Sequence, residues 1–165
     1  MVAANNPSID KIWQWLESVP DPEIPVISLV DLGIIRDVAW RDDTLVITVT
    51  PTYSGCPATS IINFDIEKAL RDNGVTGLEI KRQLSPAWTT DWLSEKGHQK
   101  LREYGIAPPI YGTAACGTGR NKTAVACPRC GSTNTEVISQ FGSTPCKASY
   151  RCKDCLEPFD YFKCI

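Results

Sequence analysis

Two Cys-x-x-Cys pairs near the C-terminus constrain the fold of this chain more than any other feature. They are Cys127-Pro-Arg-Cys130 and Cys152-Lys-Asp-Cys155, and 21 residues separate them. Each pair forms a tight turn that presents two sulfur atoms to one ion, and Zn²⁺ takes four such thiolates in a closed tetrahedral site. We therefore predict that these four cysteines hold a structural zinc ion. Disulfide bonds or separate buried thiols are the alternatives.

Six of the eight cysteines lie in the last 39 residues, from Cys127 to Ile165. A segment this short cannot bury enough apolar surface to fold without a metal or cross-links. The rest of the chain is long enough for one ordinary core of about 100 residues. We predict an α+β domain over residues 1–105, a flexible linker rich in Ala, Gly, Thr and Pro over residues 106–126, and a zinc ribbon over residues 127–165.

The charge balance argues against nucleic acid as a partner. Lys and Arg total 17 and Asp and Glu total 19, and no segment carries the basic stripe that neutralises phosphates. The N-terminus lacks the basic start and apolar run of a secretory signal, and no stretch approaches 18 consecutive apolar residues. We expect a cytoplasmic protein that binds protein partners and no membrane. In a reducing compartment, paired cysteines are metal ligands or redox thiols before they are disulfides.

Apolar spacing, caps and β-branched runs predict the regular elements. They are, in order, a helix capped by Ser8, a hairpin of strands 34–40 and 45–50, a helix with Ile61, Ile62, Ile66, Ala69 and Leu70 on its apolar face, a strand at 78–84, a polar helix at 94–104, and ribbon strands at 135–141, 147–151 and 159–162. We therefore expect a sheet of three or more strands packed by helices, followed by the ribbon. His98 is expected to be solvated on the polar helix.

The loop Gly55-Cys56-Pro57 is the main candidate for chemistry. Pro57 suits the first helical position, which places Cys56 at the helix cap, where unpaired backbone amides favour a thiolate. A thiolate is a nucleophile and a soft-metal ligand. Position alone also fits a small residue tucked under the helix. Asp21 and Glu23 lie in a stiff segment with three prolines, either near this cysteine or as caps and ion-pair partners.

Three motifs occur in an order that is typical of one family. Asp21-Pro-Glu-Ile-Pro25 precedes Val30-Asp-Leu-Gly33, and Gly55-Cys56-Pro57 follows the predicted hairpin. Residues 8–84 therefore resemble the SufT-type iron–sulfur maturation domain. The resemblance implies that Cys56 handles iron or a transient cluster, and that Asp21 and Glu23, which match the family's acidic motif, take part in handling it.

Four further segments extend the resemblance over nearly the whole chain. They are residues 50–59, 86–92, 101–106 and 157–165. With them the chain is similar to the PaaD family of phenylacetate degradation, which is counted with the multicomponent phenylacetyl-CoA epoxidase. This similarity implies an accessory protein, not an enzyme, that helps to load iron or a cluster into the reductase or the di-iron oxygenase subunit. His98 is the only histidine, so the paired Glu-x-x-His motifs of a di-iron subunit are not present.

Other functions stay open on the sequence. Cys56 could attack a thioester, although no paired base is visible. Four thiolates also hold iron in rubredoxin-like electron transfer. The ribbon could dock onto partners, without metal transfer, through aromatic residues that would otherwise form its small core. These aromatic residues are Tyr150, Phe159, Tyr161 and Phe162.

The cysteines outside the two pairs carry weaker predictions. Cys146 and Cys164 are expected to be inert packing, with a substitute ligand or a second site as alternatives. Cys116, in the predicted linker, is expected to be incidental. A homodimer would bring two Cys56 thiolates together around one cluster.

Overall fold

The structure is a computed structural model that describes residues 6–110 and 124–163. The chain divides into two compact units, Met1–Trp88 and Thr89–Ile165. Most of the predicted linker falls in residues 111–123, outside the described residues, and so does Cys116; Cys164 is likewise outside them. The domain boundaries at residues 105 and 126 therefore stay predictions.

The first unit is a mixed α/β fold. Its elements are α1 (Ile9–Leu16), β1 (Ile35–Arg41), β2 (Thr44–Val49), α2 (Thr59–Asp72) and β3 (Leu78–Arg82). The hydroxyl of Ser8 caps α1 by accepting the backbone N–H of Lys11 at 3.4 Å. β1 and β2 pair antiparallel, and β3 pairs with β2 in parallel, so the sheet order is β1-β2-β3. The parallel pairing arises because α2 carries the chain back along the sheet between the two strands.

Both helices and the central strand supply the core of the first unit. Its fully buried side chains include Ile12, Leu16, Leu45, Ile47, Ile66 and Leu70. On α2 the buried residues recur every fourth position, at 62, 66 and 70, which lie on one side of a helix. Ile61 is 52% exposed, so its predicted place on the apolar face is wrong. It points to the opposite side.

The second unit begins with a short 3-10 helix and contains the ribbon. Its elements are the 3-10 helix (Thr90–Trp92), α3 (Glu95–Glu103), β4 (Ile106–Ala107), β5 (Thr135–Ser139), β6 (Lys147–Cys152) and β7 (Pro158–Phe162). The sheet order is β4-β7-β6-β5, with β4 parallel to β7 and the other pairs antiparallel. The three predicted ribbon strands are present. β4 was not predicted, since two residues carry no periodicity.

The burial of side chains in the second unit tests the predictions made for His98 and for the aromatic residues of the ribbon. His98, predicted to be solvated, is buried in α3, so that prediction is wrong, and desolvation by the burial lowers its pKa. Phe159 and Phe162 are buried, while Tyr150 stacks on Phe159 with ring centroids 5.8 Å apart. Tyr161 is partly buried against the same core. Of the two interpretations of these aromatic residues, the core of the ribbon is the one that the packing supports.

No helix in the described part of the chain combines the length and the apolar character needed to cross a membrane.

Candidate metal centre and thiol loop

The two Cys-x-x-Cys turns bring four sulfur atoms together. Cys127 and Cys130 lie in the turn before β5, Cys152 ends β6, and Cys155 lies in the turn that leads to β7. All four Sγ atoms lie within 4.8 Å of one another. Register between β5 and β6 places Thr135 opposite Cys152, so sheet pairing sets the separation of the two turns.

The spacing of these sulfur atoms fits a tetrahedral metal. With metal–sulfur bonds of about 2.3 Å, a tetrahedron places its sulfur atoms about 3.8 Å apart. The Sγ atoms of Cys127 and Cys155 are 3.8 Å apart, and those of Cys130 and Cys152 are 3.6 Å apart. A disulfide would need about 2.05 Å. The four residues are free thiols, and their donor set suits Zn²⁺ or iron.

Hydrogen bonds outside the cysteines hold the two turns in place. The backbone N–H of Cys127 donates to the carbonyl of Ser132 at 2.9 Å. From the other turn, the carboxylate of Asp154 accepts the hydroxyl of Ser132 and, at 2.7 Å, the side-chain amide of Asn134. These bonds link one cysteine turn to the other through side chains. They fix the geometry of the thiols without occupying a ligand position.

The thiols do not ionise alike in the absence of a cation. The backbone N–H of Cys155 donates to Sγ of Cys152 at 3.5 Å and lowers the pKa of Cys152 to about 7. The backbone N–H of Ser132 lowers the pKa of Cys130, but hydrogen bonds with the other thiols and desolvation outweigh it and raise that pKa to about 12. Adjacent thiolates repel each other. A divalent cation is what allows all four to be deprotonated together.

Cys56 lies in a different setting, in the loop between β2 and α2. It is half-buried. Its N–H donates to the carbonyl of Tyr53 at 3.2 Å, and its carbonyl accepts both the N–H and the hydroxyl of Thr59, at 3.3 and 2.8 Å. From β3, the guanidinium of Arg82 donates to the carbonyl of Ser54 at 2.5 Å. The backbone around this thiol is therefore anchored on both sides.

The predicted position of Cys56 at the helix cap is wrong by two residues. The N-cap of α2 is Ala58, which makes no side-chain capping bond, and the helix begins at Thr59. Pro57 therefore precedes the cap instead of opening the helix. The carbonyl of Cys56 accepts the two hydrogen bonds from Thr59, the first residue of the helix. The side chain of Cys56 belongs to the loop that precedes the helix.

The acidic motif has an identifiable structural part. Asp21 is buried, and its Oδ1 accepts the backbone N–H groups of Glu23 and Ile24 at 2.9 and 2.8 Å. Its own N–H donates to the carbonyl of Ile27 at 2.8 Å. Glu23 is half-buried. Across the described residues, the cysteine tetrad is the group of three or more potential metal ligands that comes together, so Cys56, Asp21 and Glu23 do not form a preassembled site.

Sequence reasoning missed the residues that anchor the thiol loop. Arg82 and Ser54 are 28 positions apart, and a hydrogen bond to a backbone carbonyl leaves no side-chain pattern at the acceptor. Thr59 had a usable signal, because a Thr three residues after a loop carbonyl often bonds back to it. Cys146, which was predicted to be inert packing, is buried, and its Sγ lies 3.1 Å from the hydroxyl oxygen of Thr144.

Both parts of the chain match known protein families. A model of the iron-sulfur cluster assembly protein family matches residues 9–79, and a model of the PaaD zinc beta ribbon domain matches residues 112–163. A protein of Escherichia coli (strain K12), named as a proposed component of 1,2-phenylacetyl-CoA epoxidase, is 50% identical over 159 residues, or 96% of this chain and 94% of that protein. This chain belongs to the PaaD family. The α+β fold with a C-terminal zinc ribbon is the one that the sequence predicted.

About half of this PaaD-family chain also matches a second group of relatives. The Fe-S protein maturation auxiliary factor YitW of Bacillus subtilis (strain 168) is 42% identical over 81 residues, covering 48% of this chain and 78% of that protein. The crystal structure of a domain of unknown function, DUF59, from Bacillus anthracis superposes with a TM-score of 0.52 at 34% identity, covering 56% of this chain and 89% of that one. The matched part is about half of this chain and most of each relative.

Proposed function

We propose that this protein is an accessory factor of the phenylacetyl-CoA epoxidase system that holds iron or an iron–sulfur cluster at Cys56 and passes it to a partner subunit. The family of the whole chain supports the epoxidase context. The family of the first unit, which includes Fe-S protein maturation auxiliary factors, supports the handling of iron and sulfur. The recipient is the reductase or the di-iron oxygenase subunit, and the protein itself catalyses no reaction.

The contrast between two thiol settings carries this proposal. Four sulfur atoms in the ribbon lie within 4.8 Å of one another, which suits a metal that is retained. Cys56 is half-buried in a loop, where it supplies one thiolate. A ligand set that the protein leaves incomplete can exchange its cargo with a partner, whereas a closed shell of four thiolates has no open position.

Within this proposal, the residues divide their roles. Cys56 is the labile ligand. Asp21 shapes its loop through its bonds to the backbone of Glu23 and Ile24, and Glu23 is the second acidic residue assigned to iron handling. Cys127, Cys130, Cys152 and Cys155 hold a structural zinc ion, whose contribution is to stabilise the ribbon fold.

Anaerobic reconstitution with iron and sulfide tests the role of Cys56. Wild type should bind iron in excess of its zinc and transfer it to the apo reductase, and Cys56→Ser should lose most of both. Cys146→Ser is the matched control, because Cys146 is also a single cysteine outside the two pairs. If Cys56→Ser bound and transferred as much iron as Cys146→Ser, metal handling by this loop would be excluded.

A second candidate function is docking of the ribbon onto the epoxidase without metal transfer. It is favoured by three large apolar side chains that are exposed in the described part of the ribbon, Ile138, Phe141 and Leu156. Exposed apolar residues of this size commonly contribute to protein interfaces. The double variant Phe141→Ser/Leu156→Ser should weaken capture of the epoxidase subunits while leaving iron content intact. Unchanged capture would remove this alternative.

A further inference from the structure

The second unit contains a cavity of about 520 Å³ beside α3. Three stretches of the described chain line it: α3 through His98 and Arg102, residues 108–110 after β4, and residues 124–128 with Gly131 before β5. Sites for small molecules commonly enclose about 300 to 1,000 Å³. The cavity therefore has the size of a site for a small ligand, and it lies in the unit that does not contain Cys56.

Sheet pairing and core packing hold the walls of this cavity. β4 pairs in parallel with β7, which fixes the start of residues 108–110. On the other wall, the hydroxyl of Thr135 in β5 donates to the carbonyl of Val125 at 2.7 Å. Ala107, Val125 and Cys127 are buried in one hydrophobic cluster. The cavity is thus framed by the ribbon sheet and by the residues that join it to α3.

The wall of the cavity is apolar except at one cation. Its apolar side chains include Pro108, Pro109, Ile110, Val125 and Pro128. Among the described lining residues, Arg102 carries the permanent charge, and none is a carboxylate. Arg102 is exposed, so its guanidinium lies at the mouth of the cavity. A guanidinium binds a carboxylate through two parallel hydrogen bonds, so this wall suits an anion that has an apolar body.

The carboxylates of α3 leave the charge of Arg102 uncompensated. Glu103 accepts the side-chain amide of Gln99 at 2.8 Å, and Glu95 is seven positions before Arg102, about 10 Å along the helix axis. No ion pair within the described residues includes Arg102. Desolvation is the main cause that lowers the pKa of His98; Glu95 raises this pKa, and the charge of Arg102 lowers it. The guanidinium is therefore close enough to act on the cavity wall.

We propose that this cavity binds a small organic carboxylate with an apolar body. The carboxylate pairs with the guanidinium of Arg102, and the apolar part packs against the prolines, Ile110 and Val125. This inference is independent of the function proposed for Cys56, because it requires neither that thiol nor the transfer of iron.

Titration of the tag-free, full-length, zinc-loaded chain with phenylacetate tests the site, since phenylacetate joins one carboxylate to one ring. His98 is the only histidine and lines the cavity, so a single set of imidazole NMR signals reports on it. We expect a saturable shift of these signals with a dissociation constant below about 1 mM. Phenylacetamide, which lacks the charge, and acetate, which lacks the ring, should each bind at least about tenfold more weakly. Equal binding of either one overturns the proposal.

Arg102→Gln should raise the dissociation constant for phenylacetate about tenfold. Lys96→Gln is the matched control, because it makes the same change at an exposed position of α3 that does not line the cavity, and it should bind like wild type. Zinc content and circular dichroism verify that both variants fold. Equal affinity of the two variants overturns the proposal, and so does the absence of a saturable imidazole shift in wild type.

Hydrogen exchange on wild type repeats the test without a substitution. Saturating phenylacetate should slow amide exchange in residues 98–110 and 124–131, because a ligand that binds the folded state stabilises it against opening. Slowed exchange that is confined to the first unit, or no slowing at all, overturns the proposal. Iron content of Cys56→Ser, measured separately, decides the function proposed above.

Discussion

The carboxylate of Asp21 accepts the backbone N–H of Ile24 at 2.8 Å, inside a loop closed by a bridge between Pro20 and Ser28. The prolines of this segment lack N–H donors, so the carboxylate satisfies the donors that remain at Glu23 and Ile24. Sequence resemblance suggested that this acidic residue handles metal. The structure gives it at least one other function, because it holds the loop in shape.

Replacing Asp21 should therefore cost stability. Asp21→Ala leaves two backbone N–H groups without their buried carboxylate partner, and hydrogen bonds to a charged group are worth about 1.5 to 3 kcal/mol. We expect the first unit to lose about 2 kcal/mol of unfolding free energy, and Asp21→Asn to lose less because its carbonyl can still accept. The loss of unfolding free energy can be measured by urea denaturation, with hydrogen exchange of residues 8–84 as the readout. Asp37→Ala, at an exposed position of β1, should change stability by less than about 0.5 kcal/mol.

Removing the metal should unfold the ribbon and spare the first unit. The ribbon core comprises few residues, and two of them, Cys127 and Cys152, are themselves in the tetrad. Cys152→Ser or chelation of zinc should abolish the amide protection of β5, β6 and β7, because structural zinc supplies much of the folding free energy of small domains. Hydrogen exchange by mass spectrometry resolves both units in one experiment. Cys146→Ser should keep zinc and protection; loss of protection there would mean that packing, not metal, limits ribbon stability.

Much of the fold could be predicted because local rules specify it. Ser8 and Ser94 cap α1 and α3 with their hydroxyl groups, as short polar residues before a helix do. The ribbon strands follow from the cysteine spacing, since a tetrahedral site forces the two turns together.

Other features could not be predicted, because long-range packing decides them. His98 belongs to a helix of mostly polar residues, and its burial depends on what lies against that helix. Ile61 and Ile62 are adjacent and equally apolar, and only the packing of α2 selects Ile62 for the core. The bond from Arg82 to the thiol loop spans 28 residues. Spacing alone contains no information about such contacts.

Gly77 should not tolerate a side chain. A Cβ atom at this position would lie 2.4 Å from the carbonyl oxygen of Asp43, which is backbone and cannot rotate away. The carbonyl of Gly77 also accepts the N–H of Leu45 at 2.9 Å, so the hairpin turn and the start of β3 are held together here. We expect Gly77→Ala to destabilise the first unit by about 1 to 3 kcal/mol, measured by urea denaturation. Gly55→Ala, whose Cβ would meet nothing within 4 Å, should be nearly neutral; equal losses would refute the steric argument.

Arg82 should control how readily the Cys56 thiol is reached. Its guanidinium fastens the carbonyl of Ser54 to the end of β3, two residues before the thiol. Loss of a hydrogen bond from a charged donor weakens the closed loop by about 1.4 kcal/mol, or tenfold in its opening equilibrium. Arg82→Met should therefore raise the rate of Cys56 alkylation by iodoacetamide about tenfold, measured by peptide mass spectrometry on zinc-loaded protein.

Lys81→Met is the matched control for this change. Lys81 precedes Arg82 in the same strand, and its ammonium group lies 3.7 Å from the carboxylate of the exposed Glu79, so its replacement removes a charge without touching the loop. It should leave the alkylation rate close to that of wild type. If Cys56 were alkylated at the same rate in Arg82→Met and Lys81→Met, the loop would be held by its own hydrogen bonds from Cys56 to Tyr53 and from Thr59 to Cys56. In that case Arg82 would contribute only to the sheet edge, and the accessibility of Cys56 would not depend on it.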